Sequence, residues 1–182
     1  MLPEIYNDLS KSPWFLGFLR SCKNVYHAIG HGLLESKYQR ALAIALAEEK
    51  IEYQKECLVT FHYCTDIENK DGDIGEGRMD FLLCNEAVVE LKTIHSEIRP
   101  DDIRQLHNYL IHGNYKVGFC VNFPKTYQKN LTIVVIIHSD CKYLSSEKSV
   151  LTLDEQWYIF NLRMNVEPNN KHVLKTLGMK SI

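Results

Sequence analysis

The chain of 182 residues is long enough for one domain, and its 45% of hydrophobic residues argues against wholesale disorder. Its 21 basic and 23 acidic residues leave a formal net charge of -2, which neither supports nor excludes binding to nucleic acid. The first residues lack a basic region followed by an apolar run, and no segment reaches the ~20 apolar residues of a membrane span. We therefore expect an intracellular protein, cytoplasmic or nuclear, that is not secreted and contacts no membrane.

The cysteines argue against two kinds of site. They are scattered and include no Cys-x-x-Cys pair, which disfavours a zinc site built from paired thiolates and a cysteine-ligated iron–sulfur cluster. In a reducing compartment we expect them to be free, buried thiols. They are Cys22, Cys57, Cys64, Cys84, Cys120 and Cys141.

The predicted elements begin with two helices. Apolar residues recur at spacings of three and four from Phe15 to Ile29, which predicts an N-terminal helix within residues 1–30. Gly30-His31-Gly32 then interrupts the pattern, because glycine on both sides of one residue favours a helix break. A second helix is predicted from about Leu33 to Glu49, where alanine and leucine are strong helix formers.

A strand pattern replaces the helical one after residue 56. Alternating apolar and polar residues predict a strand over Cys57–Tyr63. The polar, glycine-containing stretch Ile67–Gly77 is predicted to be an exposed hairpin loop. Two short apolar runs, Met79–Cys84 and Ala87–Leu91, are predicted to pair as strands across a tight turn at Asn85-Glu86.

A third helix is predicted to begin at Pro100 and to end at Gly113-Asn114. Asp101 and Asp102 open it, and we interpret them as capping residues near the positive end of the helix dipole. Two more strands, Lys116–Phe123 and Leu131–His138, are predicted to follow.

The last part of the chain carries a weaker pattern. Thr152–Arg163 fits a helix or a strand, and the polar tail from Glu167 is expected to be loosely packed. The order helix, strand, strand, strand, helix, strand, strand predicts an α/β or α+β fold with a central mixed sheet flanked by helices. We expect a single domain over residues 1–182, with its core at about 25–138 and a poorly defined extension over 139–182.

The predicted hairpin carries a set of charged residues. Side chains alternate across a strand, so Glu90 and Lys92 project together at the end of an apolar strand. On the preceding strand, Asp80 points away from the face shared by Met79, Phe81 and Leu83. A short hairpin would bring Asp80 near Glu90, although the alternation alone leaves the register open.

These residue types suit the hydrolysis of a phosphodiester bond. Two carboxylates held close repel each other unless a cation lies between them, and oxygen ligands favour Mg²⁺ or Mn²⁺. A lysine beside such a cation can orient water or stabilise negative charge on a phosphate. The alternative is an ordinary surface hairpin whose Glu90 and Lys92 form an ion pair.

Two helical positions add to the set. Glu35 lies beside Tyr38 and Leu42 on the edge of the core-facing stripe, where an unpaired charge would be costly. The alternative role for Glu35 is a favourable position near the helix dipole. Gln105 and Tyr109 are spaced i, i+4 and share one helix face, unless they are only an amphipathic edge.

Five short motifs occur in order over roughly residues 25–125. They are Gly32-Leu33-Leu34-Glu35-Ser36-Lys37-Tyr38, Gly77-Arg78-Met79-Asp80-Phe81-Leu82-Leu83, Val88-Val89-Glu90-Leu91-Lys92-Thr93, Gln105-Leu106-His107-Asn108-Tyr109-Leu110 and Val117-Gly118-Phe119-Cys120-Val121-Asn122-Phe123. Each motif alone is common, and the specificity lies in their order and spacing. This ordered set is similar to the GxxExxY group of the PD-(D/E)XK nuclease superfamily. Met79 stands where the superfamily's name has proline.

The resemblance implies a restriction-endonuclease-like αβββαβ core and a role for each matching residue. Asp80 and Glu90 would bind the metal, and Lys92 would position water or polarise the scissile phosphate. Glu35 would be a further acidic metal ligand from the helix. Gln105 and Tyr109 match the QxxxY signature of RecB-type nucleases, in which these residues line the cleft and help set the DNA path.

These expectations predict a deoxyribonuclease that depends on Mg²⁺ or Mn²⁺ and binds DNA. One alternative is a nuclease-fold module that binds nucleic acid or a protein partner without cutting, and another is an enzyme that acts on RNA. The choice between exonuclease and endonuclease, the number of metal ions and the oligomeric state stay open, because fold does not settle function.

Overall fold

The computed structural model describes residues 9–63, 72–141, 151–154 and 157–166. These residues form three helices and a seven-stranded sheet. The helices are α1 (Phe15–Ile29), α2 (Glu35–Glu48) and α3 (Pro100–Gly113). The strands are β1 (Tyr53–Tyr63), β2 (Gly72–Leu83), β3 (Ala87–Lys92), β4 (Val117–Asn122), β5 (Asn130–His138), β6 (Leu151–Asp154) and β7 (Trp157–Asn165).

The strands lie in the order β1-β2-β3-β4-β5-β7-β6. Only β3 and β4 run parallel among these pairs, and α3 makes the crossover that a parallel connection needs. This confirms the predicted mixed sheet with flanking helices, in a fold consistent with the PD-(D/E)XK type. No helix in the described ranges is long and apolar enough to cross a membrane.

Helices cover both faces of the sheet. On one face, Phe18 of α1 and Leu42 of α2 join a core cluster with Phe119 of β4. On the other face, Leu106 of α3 packs in a second cluster with Val88 of β3. Since β3 is buried on both faces, its apolar run is nearly continuous rather than alternating.

The turn between α1 and α2 confirms the predicted glycine break. Gly30 and Gly32 have φ angles of 69° and 85°, in the left-handed region that favours glycine. The Tyr38 hydroxyl donates to the Gly30 carbonyl at 2.8 Å, and its ring stacks on Phe123 with centroids 4.6 Å apart. Tyr38 thereby fixes the turn, and α2 begins at Glu35 rather than at the predicted residue 33.

The predicted loop over Ile67–Gly77 is wrong in its second half. Gly72–Gly77 belong to β2, and residues 64–71 lie outside the described part of the chain. In this stretch β1 and β2 extend as a ribbon, with Gly77 paired to Val59 and Gly72 to Tyr63. Because Gly72 to Glu76 are exposed, no apolar alternation revealed them as a strand.

The prediction that Met79 shares one face of its strand with Phe81 and Leu83 is also wrong. Phe81 and Leu83 pack on the α1 and α2 side of the sheet, whereas Met79 packs on the α3 side. The alternation therefore shifts at Asp80. On β1, Lys55 pairs with Phe81 and Cys57 pairs with Met79, so Glu56 lies opposite Asp80. Glu56 has a φ angle of 56°. A residue outside the extended region disturbs the alternation of the paired strands.

The segment Thr152–Arg163, which fitted a helix or a strand, contains most of β6 and most of β7. All nine residues of β5 pair with β7, from Asn130 with Asn165 to His138 with Trp157. This strand therefore continues the same sheet as the predicted core. The predicted loose tail from Glu167 lies outside the described residues.

Cys22, Cys57, Cys84 and Cys120 are free thiols, as predicted, but only Cys22 and Cys120 of these four are buried. Cys64 lies outside the described ranges.

The close approach of α3 to β4 predicts that Gly118→Ala destabilises the fold. A Cβ at Gly118 would lie 2.9 Å from Leu106 Cδ1 and 3.1 Å from Leu110 Cδ1, both fully buried. Overpacking of this kind should lower the free energy of unfolding by about 1–3 kcal/mol in urea titration. Gly72→Ala is the matched control, since nothing lies within 4 Å of a Cβ there. Equal stability of the two variants would contradict this account of the packing.

Candidate active site

The register of the β2–β3 hairpin brings the two predicted carboxylates together. Leu83 pairs with Ala87 and Phe81 with Val89, and Asp80 and Glu90 are the next residues beyond this last pair on the two strands. The Leu91 backbone N–H donates to Asp80 Oδ2 at 2.7 Å, which anchors the carboxylate to β3. The structure therefore fixes the register that the alternation of side chains left open.

Glu90 is the most deeply buried carboxylate of the site. Its exposed fraction is 5%, and its Oε1 accepts hydrogen bonds from Lys92 Nζ at 2.8 Å and from Gln105 Nε2 at 3.0 Å. The other oxygen, Oε2, is buried and has no hydrogen-bond partner among the described residues. A buried acceptor without a partner costs free energy, and a cation would satisfy it.

Helix α3 completes the polar cluster from the other side of the hairpin. Lys92 Nζ also donates to Gln105 Oε1 at 3.0 Å, and Gln105 Nε2 donates to the Tyr109 hydroxyl at 2.9 Å. The one-turn spacing of Gln105 and Tyr109 thus serves a shared network, rather than a solvated glutamine beside a packed tyrosine. Glu90, Lys92, Gln105 and Tyr109 form a continuous hydrogen-bonded chain.

Glu35 approaches the cluster from the first turn of α2. It is half-buried, and no hydrogen bond joins it to the other predicted site residues in the part of the chain that the structure describes. Burial raises the pKa of Glu35, the negative charge of Asp80 raises it further, and Lys92 opposes the shift. Glu35 therefore lies within electrostatic reach of Asp80 and Lys92 on the hairpin.

The charges of the hairpin are strongly coupled. Burial raises the pKa of Glu90 to about 7, with Asp80 adding to the shift and Lys92 opposing it. Burial also raises the pKa of Asp80, against the hydrogen bond from Leu91. For Lys92, burial lowers the pKa, but the contact with Glu90 outweighs it and the net shift is upward. Lys92 thus keeps its proton at neutral pH.

The donor atoms suit a hard divalent cation, although they are not gathered as a closed ligand cage. Asp80 and the free oxygen of Glu90 offer carboxylate oxygens, the ligand type that Mg²⁺ and Mn²⁺ prefer. Within the described ranges, no three His, Cys, Asp or Glu side chains stand close enough together to hold a metal ion. The unpartnered Glu90 oxygen fits a cation, and Glu35 as a third ligand stays a prediction.

Sequence reasoning missed two polar residues that surround Asp80. Gln39 Nε2 donates to Asp80 Oδ1 at 3.2 Å and also hydrogen-bonds to Glu56 Oε1. Gln39 follows Glu35 by four residues, so a search along that helix face could have found it. Glu56 carried no signal, because its approach depends on an unusual backbone angle in β1.

Asn122 is a third residue that the sequence did not single out. It is buried at the end of β4, opposite Lys92 in the parallel register. Its Oδ1 accepts from the Ile94 backbone N–H at 3.0 Å, and its Nδ2 donates to the Ser96 carbonyl at 3.1 Å. Asn122 therefore holds the segment that leaves the site after Lys92.

The raised carboxylate pKa values predict that the metal-free protein loses stability as the pH rises. The pKa of Glu90 increases from its ordinary 4.5 to about 7 on folding, so the folded state binds more protons between these values. The stability that results is complete below about pH 4.5 and is lost as the pH rises through 7. Asp80 and Glu35 shift in the same direction.

In a chelator, the melting temperature should therefore fall from pH 5 to pH 8, with Glu90 accounting for on the order of 1–3 kcal/mol. Glu90→Gln should show a clearly smaller slope, whereas Glu48→Gln, at an exposed position of α2, should match the wild type. Thermal unfolding followed by circular dichroism measures both. Identical slopes for wild type and Glu90→Gln would rule out this assignment.

Comparison with known proteins identifies the family. The sequence model of the PD-(D/E)XK nuclease superfamily matches residues 17–134, about two thirds of the chain. No curated protein matches the sequence. Among solved structures, the chain is similar to one described as the crystal structure of SSO0001, at 17% identity and a TM-score of 0.39. That match covers 79% of this chain and 55% of the other, so this chain spans about half of its length. On the strength of the family match, the chain belongs to the PD-(D/E)XK nuclease superfamily.

Proposed function

We propose that the protein is a divalent-metal-dependent nuclease that hydrolyses phosphodiester bonds of DNA at the Asp80, Glu90 and Lys92 cluster. The observation that carries this proposal is the buried Glu90 carboxylate with one unpartnered oxygen beside Asp80. Buried charges with shifted pKa values reduce stability and are typical of functional sites. Membership in a nuclease superfamily supports a nuclease-like activity on nucleic acid.

The residues that would hold the cation are Asp80 and Glu90, with Glu35 as a further ligand by resemblance to the superfamily. When bound, Mg²⁺ or Mn²⁺ supplies Lewis acidity at the scissile phosphate and makes nearby water more acidic. Burial of Glu90 assists binding, because an apolar environment strengthens the attraction between a carboxylate and a cation.

Lys92 supplies positive charge for the phosphate or the attacking water. Its ammonium group donates to both Glu90 and Gln105, which fixes its position and leaves a third donor hydrogen for substrate or water. An ammonium group held in this way can stabilise negative charge that develops on a phosphate oxygen. The Tyr109 hydroxyl holds Gln105 in place from the next turn of α3.

A non-cutting module with the same fold is the second candidate. It is favoured by the hydrogen bond between Lys92 and Glu90, an ordinary ion pair, and by the lack of a three-ligand cluster in the described residues. Such a module would bind nucleic acid or a protein partner. In such a module, replacement of Lys92 should cause no loss of function.

The proposal predicts that the protein cleaves DNA in Mg²⁺ or Mn²⁺ and that EDTA stops the reaction. Asp80→Ala, Glu90→Ala and Lys92→Ala should each lower the cleavage rate roughly 100-fold or more without unfolding the protein. Glu48→Ala, at an exposed position of α2, is the control and should keep wild-type activity. Linear DNA, closed-circular DNA and RNA of matched length are the substrates.

Cleavage of linear DNA alone would identify an exonuclease, and cleavage of circles as well would identify an endonuclease. Faster loss of RNA in competition would assign the activity to RNA. A Glu90→Ala variant that still cleaves DNA would contradict the assignment of the site. If neither metal supports cleavage, the non-cutting module becomes the better description, and titration with Mn²⁺ then decides whether the site binds metal at all.

A further inference from the structure

Asp80 is held at both of its carboxylate oxygens. Oδ2 accepts the Leu91 backbone N–H at 2.7 Å, and Oδ1 accepts the Gln39 side-chain amide at 3.2 Å. Each carboxylate oxygen has two lone pairs, so each keeps one for a further ligand. The carboxylate is therefore fixed in orientation and still able to bind a cation.

Gln39 is itself held by a second carboxylate. The same Nε2 group that reaches Asp80 donates its other hydrogen to Glu56 Oε1. A neutral amide is suited to this position, because it satisfies two acidic groups without cancelling the negative charge of either. On the far side, Glu56 Oε2 accepts from Arg78 Nε at 2.7 Å, which anchors the network to β2.

The backbone of Glu56 is strained in a way that serves these contacts. Its φ angle of 56° is rare for a residue other than glycine. The angle occurs where Lys55 pairs with Phe81 and Cys57 with Met79, directly opposite Asp80. Strained residues of this kind persist when the surrounding structure holds them, and they cluster at functional sites.

We propose that Gln39 and Glu56 are positioning residues that orient Asp80 for cation binding, an inference that rests on the proposed nuclease function. Partners that orient a metal ligand affect metal affinity through that ligand, without touching the metal. Here Gln39 provides the direct contact, and Glu56 fixes the direction in which the Gln39 amide points. Arg78 completes the frame by holding the outer oxygen of Glu56.

The test measures binding of Mn²⁺ alone, from the rise of the melting temperature of the full chain during titration. In Gln39→Met, which keeps the length of the side chain and removes the donor, half-saturation should need roughly 10- to 100-fold more Mn²⁺. Gln54→Met is the matched control, since Gln54 of β1 donates to Asn85 in the turn between β2 and β3, and this variant should bind Mn²⁺ like the wild type.

Cleavage gives a second readout. Because Gln39 acts on the orientation of Asp80, excess Mn²⁺ should restore most of the rate of Gln39→Met. It should not restore Lys92→Ala, whose defect lies with the phosphate or the water. A rate that stays low at every Mn²⁺ concentration, with unchanged Mn²⁺ binding, would overturn the positioning role of Gln39.

Variants of Glu56 distinguish an effect of Asp80 orientation from an effect of charge. They also test the proposal if Gln39→Met fails to fold. The Glu56 side chain is 41% exposed, so its substitutions should be tolerated. Glu56→Gln keeps an acceptor for the Gln39 amide and should bind Mn²⁺ nearly as the wild type does, whereas Glu56→Ala should bind more weakly. Equal weakening in both variants would mean that charge acts, not orientation, and no weakening in either would remove Glu56 from the site.

The outcomes also separate this inference from the proposed function. If the wild type binds Mn²⁺ and cuts DNA while Gln39→Met behaves identically, the inference fails and the nuclease assignment stands. If the wild type neither binds Mn²⁺ nor cuts, both fail together.

Discussion

The hydrogen bond from the Leu91 backbone N–H to Asp80 fixes the first carboxylate of the site against the neighbouring strand. It joins the side chain of one hairpin strand to the backbone of the other, next to Glu90. A slip of one residue would turn Glu90 and Lys92 to the opposite face, into the core beneath α1 and α2. The apolar pairs that follow, such as Phe81 with Val89, oppose that slip because both residues are fully buried. The packing of the core thus holds the charged residues in register.

The two helices that complete the site are positioned by contacts some distance from it. Helix α3 lies close to the sheet because Gly118 leaves room for Leu106 and Leu110, and this places Gln105 above Lys92. Helix α2 begins where it does because the Tyr38 hydroxyl closes the turn at Gly30. Tyr38 therefore has a structural role, as it fixes the start of the helix that carries Glu35 and Gln39.

The sequence predicted those features that depend on local patterns. Side-chain alternation placed Glu90 beside Lys92, and helical spacing placed Gln105 above Tyr109, because each rule involves neighbours on one element. The pattern failed at Glu56, whose approach to Asp80 depends on a left-handed backbone angle that tertiary contacts impose. It failed again for β2, where Gly72 to Glu76 face solvent on a ribbon and show no apolar period. A strained backbone angle and a solvent-exposed ribbon leave no periodic pattern in the sequence.

Without a cation, the site costs stability, because its carboxylates are buried. Burial and the neighbouring charge of Asp80 raise the pKa of Glu90 to about 7, and its second oxygen lacks a partner among the described residues. Lys92 offsets only part of this cost, because burial and the charge of Asp80 outweigh its effect on the pKa of Glu90. A divalent cation carries twice the charge of the ammonium group and could contact Asp80 at the same time. The site therefore favours a divalent cation over a proton on Glu90. Because the Gln39 amide is neutral, it can hold Asp80 without reducing the negative charge that attracts the cation.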